Sequence, residues 1–351
     1  MVAGSNPAGG ATPTSHSGGC RAPPDPAGWA LVTRDVSTDT PALRQRPVGS
    51  PFGATSTAEE VLTDVDLSGR RALVTGGYAG IGLALVRALA HAGAEVLAPA
   101  RRPEAAREAL ADVPGVTVAA LDLAGQHSVA ALAADVDRPI DLLVLNAGVM
   151  ACPETRTPEG WELQLATNHL GHFALVNRLL RRLTSGGRVV SVSSLGHHHG
   201  GMHWQDPMFE RGYAKWRAYG QSKSANALLA VHLAESGVPA YSLHPGAILT
   251  DLGKHLTEAD LDDVLLTDAA GDLVVPTFKS PEQGAATAAF AATSDLLADR
   301  SGAYLEDCEV APLVEGDGLG DHGVRRWAVD PAEAARLWAW SAELAGVDAL
   351  R

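Results

Sequence analysis

The chain predicts an α/β protein, a doubly wound parallel sheet with helices on both faces. Short apolar runs alternate with segments of helical period from Arg70 onward. Strands separated by helices pair in parallel through crossover connections, which puts helices on both faces. The first unit also has a diagnostic turn. Ala72-Leu73-Val74-Thr75 reads as a short buried strand and Ile81, Leu83, Ala84, Leu85, Val86, Ala88 and Leu89 as a helix with a broad apolar face. Between them stands Gly76-Gly77-Tyr78-Ala79-Gly80-Ile81-Gly82.

The elements follow in order. Strands are expected at Ala72–Thr75, Glu95–Ala100, Val116–Asp122, Leu142–Asn146, Arg188–Ser193 and Ala240–His244, with a late one at Gly302–Glu306. Helical patterns occupy 81–92, 103–112, 126–136, 159–184 and 219–236. Ser280-Pro281-Glu282-Gln283 opens another helix, with a cap, a proline in the first turn and a glutamine at capping-box spacing. Pro331–Trp338 starts an amphipathic one whose tryptophans read as packing surface. Residues 1–55 are rich in Gly, Pro, Ser, Thr and Ala without sustained period, and read as a disordered extension. The single folded domain is then 56–351, beginning near Ser56-Thr57-Ala58-Glu59-Glu60, which has capping-box spacing.

Composition narrows the partners. A net charge of −14 disfavours nucleic acid and anionic membrane surfaces. There is no uninterrupted apolar stretch of about 18 residues, so no membrane span is expected. Cys20, Cys152 and Cys308 are odd in number and widely separated, which fits a reducing cytoplasm better than a disulfide framework. No Cys/His spacing suggests zinc.

In an open α/β sheet ligands bind beyond the carboxyl ends of the strands, so the strand ends carry the chemistry. A glycine turn leading into a helix N-terminus builds an anion site: its N–H groups point outward and the helix dipole favours negative charge. Glycines there let the backbone approach a pyrophosphate, so Thr75, Gly76, Tyr78, Gly80, Ile81 and Gly82 are candidate dinucleotide-binding residues. The second strand ends at Arg101-Arg102, where a carboxylate would bind the ribose hydroxyls of NAD. An arginine pair suits a ribose phosphate instead, making NADP the expected cofactor and NAD the alternative; a solvated basic pair opening a helix is the competing reading. After the third strand, Asp122 could accept from an adenine amino group or cap the next helix, and Leu123 follows it. Asn146-Ala147-Gly148 ends the fourth strand with two small residues, suited to a ribose–nicotinamide segment or to a tight turn. Ser193-Ser194 leaves the fifth. Tyr219 and Lys223, one helical turn apart, share a face. A lysine ammonium beside a phenol is expected to lower the tyrosine pKa toward neutral, as a proton donor and acceptor requires.

Together these motifs resemble the short-chain dehydrogenase/reductase family over about residues 56–345. The likeness rests on Thr75-Gly76-x-x-x-Gly80-Ile81-Gly82, Asn146-Ala147-Gly148, Asn168, Ser194, Tyr219-x-x-x-Lys223 and Pro245-Gly246. Within the family, Asn168-His169-Leu170-Gly171-His172-Phe173, Val192-Ser193-Ser194-Leu195-Gly196-His197-His198 and Gly302-Ala303-Tyr304-Leu305-Glu306-Asp307 are similar to the retinol-dehydrogenase-like branch. The resemblance implies a Rossmann-type fold and an NADP-linked oxidoreductase acting on an alcohol/carbonyl pair. It implies that Tyr219 is the general acid/base, that Lys223 binds the nicotinamide ribose and depresses the tyrosine pKa, and that Ser194 polarises the carbonyl. Asn168 would fix a helix bend and a relay water, and Thr250 would touch the carboxamide. It also implies pairing of two copies through the helices carrying Asn168 and Tyr219. By position residues 251–280 should cover the substrate as a lid, although a solvated acidic surface helix fits the charges equally. Leu145 and Tyr78 depart from the common pattern, and a longer loop separates Ser194 from Tyr219. That loop carries His197, His198, His199 and His203, expected to border the substrate entrance rather than hold a metal. A non-catalytic NADP(H)-binding protein and a reductase of activated C=C bonds are the competing functions.

Overall fold

Eight strands form one sheet in the computed structural model, which describes residues 41–248, 278–316 and 319–351 together with Met1, 251–253, 266–267 and 273–274. They are β1 (Arg71–Val74), β2 (Glu95–Leu97), β3 (Val116–Thr117), β4 (Ile140–Leu145), β5 (Leu183–Val192), β6 (Ala240–His244), β7 (Tyr304–Glu306) and β8 (Glu309–Val310). The spatial order is β8-β7-β6-β5-β4-β1-β2-β3, so strand order reverses between β1 and β4. Pairing is parallel from β3 through β7. The β7–β8 pair is antiparallel, adding a short strand beyond the last one the sequence predicts. Only Asp307 and Cys308 link those strands, both left-handed at φ 49° and 59°, a hairpin turn too short for a crossover.

The main helices are α1 (Gly80–His91), α2 (Pro103–Ala109), α3 (Gln126–Asp135), α4 (Gly171–Leu179), α5 (Lys215–Glu235), α6 (Pro281–Thr293) and α7 (Pro331–Ala345). Side chains alternate across the strands, and both faces are apolar. Ala72, Val74, Val144, Val190 and Leu243 pack with α1 and α6, whereas Leu73, Leu143, Leu145 and Val189 pack with α3, α4 and α5. Helix α5 is buried around most of its circumference because α7 covers it from outside. Trp338 of α7 stacks on His232 at 4.5 Å and meets Phe173 of α4 edge-on at 4.7 Å.

Two helices behave locally as expected. Ser280 and Gln283 form a reciprocal capping box with Pro281 in the first turn of α6, and Thr57 and Glu60 do the same for Ala58–Val61. The pattern at 159–184 is not one helix. A short turn at Leu163–Leu165 is capped by Glu162, widens into a π segment over Ala166–Leu170 and continues as α4, and β5 already begins at Leu183.

Residues 41–53, inside the expected extension, make contacts with the sheet. Gln45 donates its amide to Tyr304 O at 3.3 Å and accepts from Tyr304 N at 3.0 Å. The N–H groups of Val48, Gly49 and Ser50 converge on the Glu309 carboxylate at 2.7–3.0 Å. Side-chain contacts far along the chain thus hold a segment whose composition carries no period. Residues 2–40, Thr250 and most of the expected lid lie outside the described residues. Among the described residues no helix is long and apolar enough to cross a membrane.

Candidate active site

The candidate groups hang from strand ends, from α5 and from the π segment before α4. At the end of β1, Gly76 and Gly80 have φ of 67° and 51°, backbone that favours glycine. A Cβ on Gly82 would lie 2.4 Å from Gly76 O and 2.6 Å from Asn146 Nδ2, so α1 must start flush against the turn. Ala79, the residue capping α1, offers no side-chain acceptor. The first N–H groups of the helix are thus uncapped by any side chain, which fits a pyrophosphate. Tyr78 and Ile81 pack back against the α1–α6 layer. Asn146 donates its amide to Thr75 O at 3.0 Å, tying the turn to the end of β4.

Thr75 and His172 join this turn to the next helix. Thr75 Oγ1 accepts from the N–H groups of Asn146 and Ala147, both at 3.0 Å. His172 Nδ1 lies 2.9 Å from the Asn168 carbonyl, so this nitrogen carries the proton and Nε2 is free to accept. The Thr75 hydroxyl, 2.9 Å from Nε2, therefore donates to it. Burial holds His172 neutral by pushing its pKa down to about 4. Asn168 itself sits in the π segment; its amide donates to Val149 O and Ser222 Oγ at 2.9 Å and accepts from Val149 N at 2.8 Å. A Cβ on Gly148 would stand 3.2 Å from Asn168 Oδ1 and 3.5 Å from Lys223 Nζ, so the Asn146-Ala147-Gly148 segment lies directly on this group.

Ser194, Tyr219 and Lys223 come together at the end of β5. Ser194 Oγ accepts from Gly196 N at 3.0 Å and lies beside the Tyr219 phenol, whose pKa it pulls down. Lys223 Nζ lies 5.7 Å from the centre of the Tyr219 ring and donates to Val192 O at 3.0 Å. Trp216, one turn before Tyr219, meets its ring edge-on at 6.4 Å and stacks on His199 at 5.8 Å. The expected depression of the tyrosine pKa is reversed: burial pushes Tyr219 up to about 12, opposed only by the Ser194 hydroxyl. The buried phenolate loses more from desolvation than its neighbours return. Burial also pulls Lys223 down to about 8.

The remaining candidates are placed around this core. Arg101 and Arg102 are exposed just beyond β2, beside the glycine turn, whose Gly76 N–H donates to Pro99 O at 3.3 Å. Asp122 accepts from Ala124 N at 3.0 Å through Oδ1, the turn-capping role. Leu123 is buried, its carbonyl where a Cβ on Gly171 would fall, 2.2 Å away. Pro245 is buried, and Gly246, at φ 102°, takes the Lys279 stem against its backbone.

His197 and His198 are not a solvent-exposed polar loop. Both are buried, and they bolt the Ser194 turn to the segment 320–325: Arg325 N donates to His197 Nε2 at 3.1 Å, Gly320 N to His198 Nδ1 at 3.0 Å, and His198 Nε2 meets Gly323 O at 3.1 Å. Among the described residues no group of three or more His, Cys, Asp or Glu side chains could hold a metal ion. Sequence reasoning passed over His172, Gly196 and His244 as functional positions. His172 stands one turn after Asn168 on the same face, a spacing that could have flagged it.

The fold and this arrangement define a nicotinamide-linked oxidoreductase of the α/β class. The family model for short chain dehydrogenases matches residues 70–261. A probable oxidoreductase of Streptomyces antibioticus is 44% identical over 82% of this chain and 99% of its own length. Retinol dehydrogenase 11 of Mus musculus is 34% identical over 81% of this chain and 89% of its own. A crystal structure of a putative uncharacterized protein from Mycobacterium paratuberculosis is similar with a TM-score of 0.65, at 33% identity over 84% of this chain and 98% of that one. The chain belongs to the short-chain dehydrogenase/reductase family, near its retinol-dehydrogenase-like branch, and is an enzyme of that family.

Proposed function

We propose that the chain is an NADP-dependent oxidoreductase interconverting an alcohol and a carbonyl compound, with Tyr219 as general acid/base. The observation that carries it is the Tyr219 phenol, buried, beside the Ser194 hydroxyl and one helical turn from the Lys223 ammonium. Thr75, Gly76, Gly80, Gly82 and Asn146-Ala147-Gly148 would hold the dinucleotide, and Arg101 and Arg102 its ribose phosphate. The nicotinamide, when bound, supplies or accepts the hydride.

The protein's own groups do the rest. Ser194 Oγ orients the substrate oxygen, and Tyr219 gives it a proton in reduction or takes one in oxidation. A phenol raised to about 12 is neutral at physiological pH, the form that donates. Lys223 sets the local positive charge, and Asn168 and His172 hold the helix opposite. Trp338 of α7 already packs on both α4 and α5, the helices through which two copies would pair. The odd number and wide separation of Cys20, Cys152 and Cys308 support the cytoplasm.

A panel of ketones, aldehydes, alcohols and enones, with NADPH or NADP consumption followed, tests the reading. Turnover of carbonyls or alcohols is expected. Turnover of enones alone would make it a C=C reductase, and cofactor binding with no turnover a non-catalytic nucleotide-binding protein.

A further inference from the structure

Ser194 is followed by a peptide group held on both sides by imidazole. Its carbonyl, Ser194 O, lies 2.7 Å from His197 Nδ1, and its amide, Leu195 N, donates to His244 Nδ1 at 3.1 Å. The two rings must carry their protons on opposite nitrogens. His197 Nε2 accepts from Arg325 N at 3.1 Å, so its proton is on Nδ1 and goes to Ser194 O. His244 uses Nδ1 as an acceptor, so its proton is on Nε2. The rings come from different places: His197 from the turn itself and His244 from the end of β6. The turn they hold has no slack toward the phenol, because Gly196 backs directly onto the Tyr219 ring and its N–H donates to Ser194 Oγ.

We propose that His197 and His244 are positioning residues that clamp the Ser194–Leu195 peptide between a buried and a half-buried imidazole and so hold the Ser194 hydroxyl in register with Tyr219. The proposal rests on the roles given to Ser194 and Tyr219 above. Neither imidazole hydrogen-bonds the reacting groups; each acts through one backbone atom. An asparagine amide can replace either contact, donating from Nδ2 to Ser194 O or accepting at Oδ1 from Leu195 N. Leucine fills the space and can do neither.

The test compares His197→Leu, His197→Asn, His244→Leu and His244→Asn with Tyr219→Phe and Ser194→Ala. NADPH binding is followed by fluorescence, and kcat and KM are measured with the aldehyde of highest turnover in the panel. The leucine variants are expected to bind NADPH as the native chain does while kcat falls about 10²-fold, the scale of a misplaced catalytic group. The asparagine variants are expected to recover most of it. Folded leucine variants with native kcat would overturn the clamp, as would asparagine variants no better than leucine ones. If a leucine variant does not fold, its asparagine counterpart decides: kcat near native upholds the clamp and a loss as large as that of Ser194→Ala overturns it. Full activity in Tyr219→Phe and Ser194→Ala would instead defeat the underlying reading.

Discussion

Gly196 and Tyr219 are in contact so close that a Cβ on the glycine would stand 2.5 Å from Tyr219 Cε1 and 2.9 Å from Cδ1. Real Cβ atoms do not approach rings this way, so the phenol or the turn after Ser194 must yield. Gly196→Ala is expected to lower kcat about 10²-fold by moving the phenol relative to Ser194. NADPH affinity, measured by fluorescence titration, should stay within a factor of a few of native. A variant with native kcat would mean that the ring has room to shift without consequence.

Tyr219→Phe removes only the phenolic oxygen from a ring packed against Trp216 and Gly196. Its fold and cofactor affinity are expected to persist while turnover falls by roughly 10²–10⁴-fold, the usual contribution of a positioned proton donor. Steady-state kinetics beside a binding titration separates the two effects. Undiminished turnover would remove Tyr219 from the chemistry.

The exposed pair Arg101 and Arg102 is expected to matter for one nucleotide only. Replacing both by alanine should weaken NADPH by about 1.5–3 kcal/mol, one charge-assisted hydrogen bond, and leave NADH nearly unchanged. Isothermal titration with each nucleotide is the measurement. Equal losses for both would make the pair structural.

Lys223 gives a pH signature to stability. Burial lowers its pKa from 10.5 to about 8, so between those values the unfolded chain holds a proton that the folded chain has released. Stability conferred through this group therefore rises with pH across about 8 to 10.5, and its full penalty is present below 8. Lys223→Met should remove that rise, so denaturant midpoints of native and variant should converge as pH increases from 8 to 10. Curves of identical slope would show that the ammonium is not desolvated as its position implies.

Gln45 reports whether the segment 41–53 belongs to the domain. Its amide pairs with both the N–H and the C=O of Tyr304, and it is buried. Gln45→Ala leaves the Tyr304 N–H without that acceptor and should cost about 1–3 kcal/mol in chemical denaturation. A neutral substitution would mean that the segment contributes nothing to stability.

Most of the frame was legible because its signals are local. The Ala72–Thr75 strand, the glycine turn and α1 follow from residue spacing alone, and Tyr219 and Lys223 share a face because a helix returns every 3.6 residues. The capping boxes at Thr57 and Ser280 are equally local. What was not legible depends on partners far along the chain. His197 and His198 look like a polar loop until Gly320, Gly323 and Arg325 supply their backbone partners. The break in the 159–184 helix at its π segment has no pattern of its own.

From the order of its residues alone, this chain declares its sheet-and-helix alternation, its glycine turn and the serine, tyrosine and lysine that meet at the end of β5. Those are matters of periodicity and of which side chains can do which chemistry. Only the folded chain decides that Tyr219 is pushed up rather than down, that two histidines grip one peptide group, and that residues 41–53 close the sheet edge. Each depends on desolvation or on hydrogen bonds between segments brought together by packing, and neither is written in any local stretch of sequence.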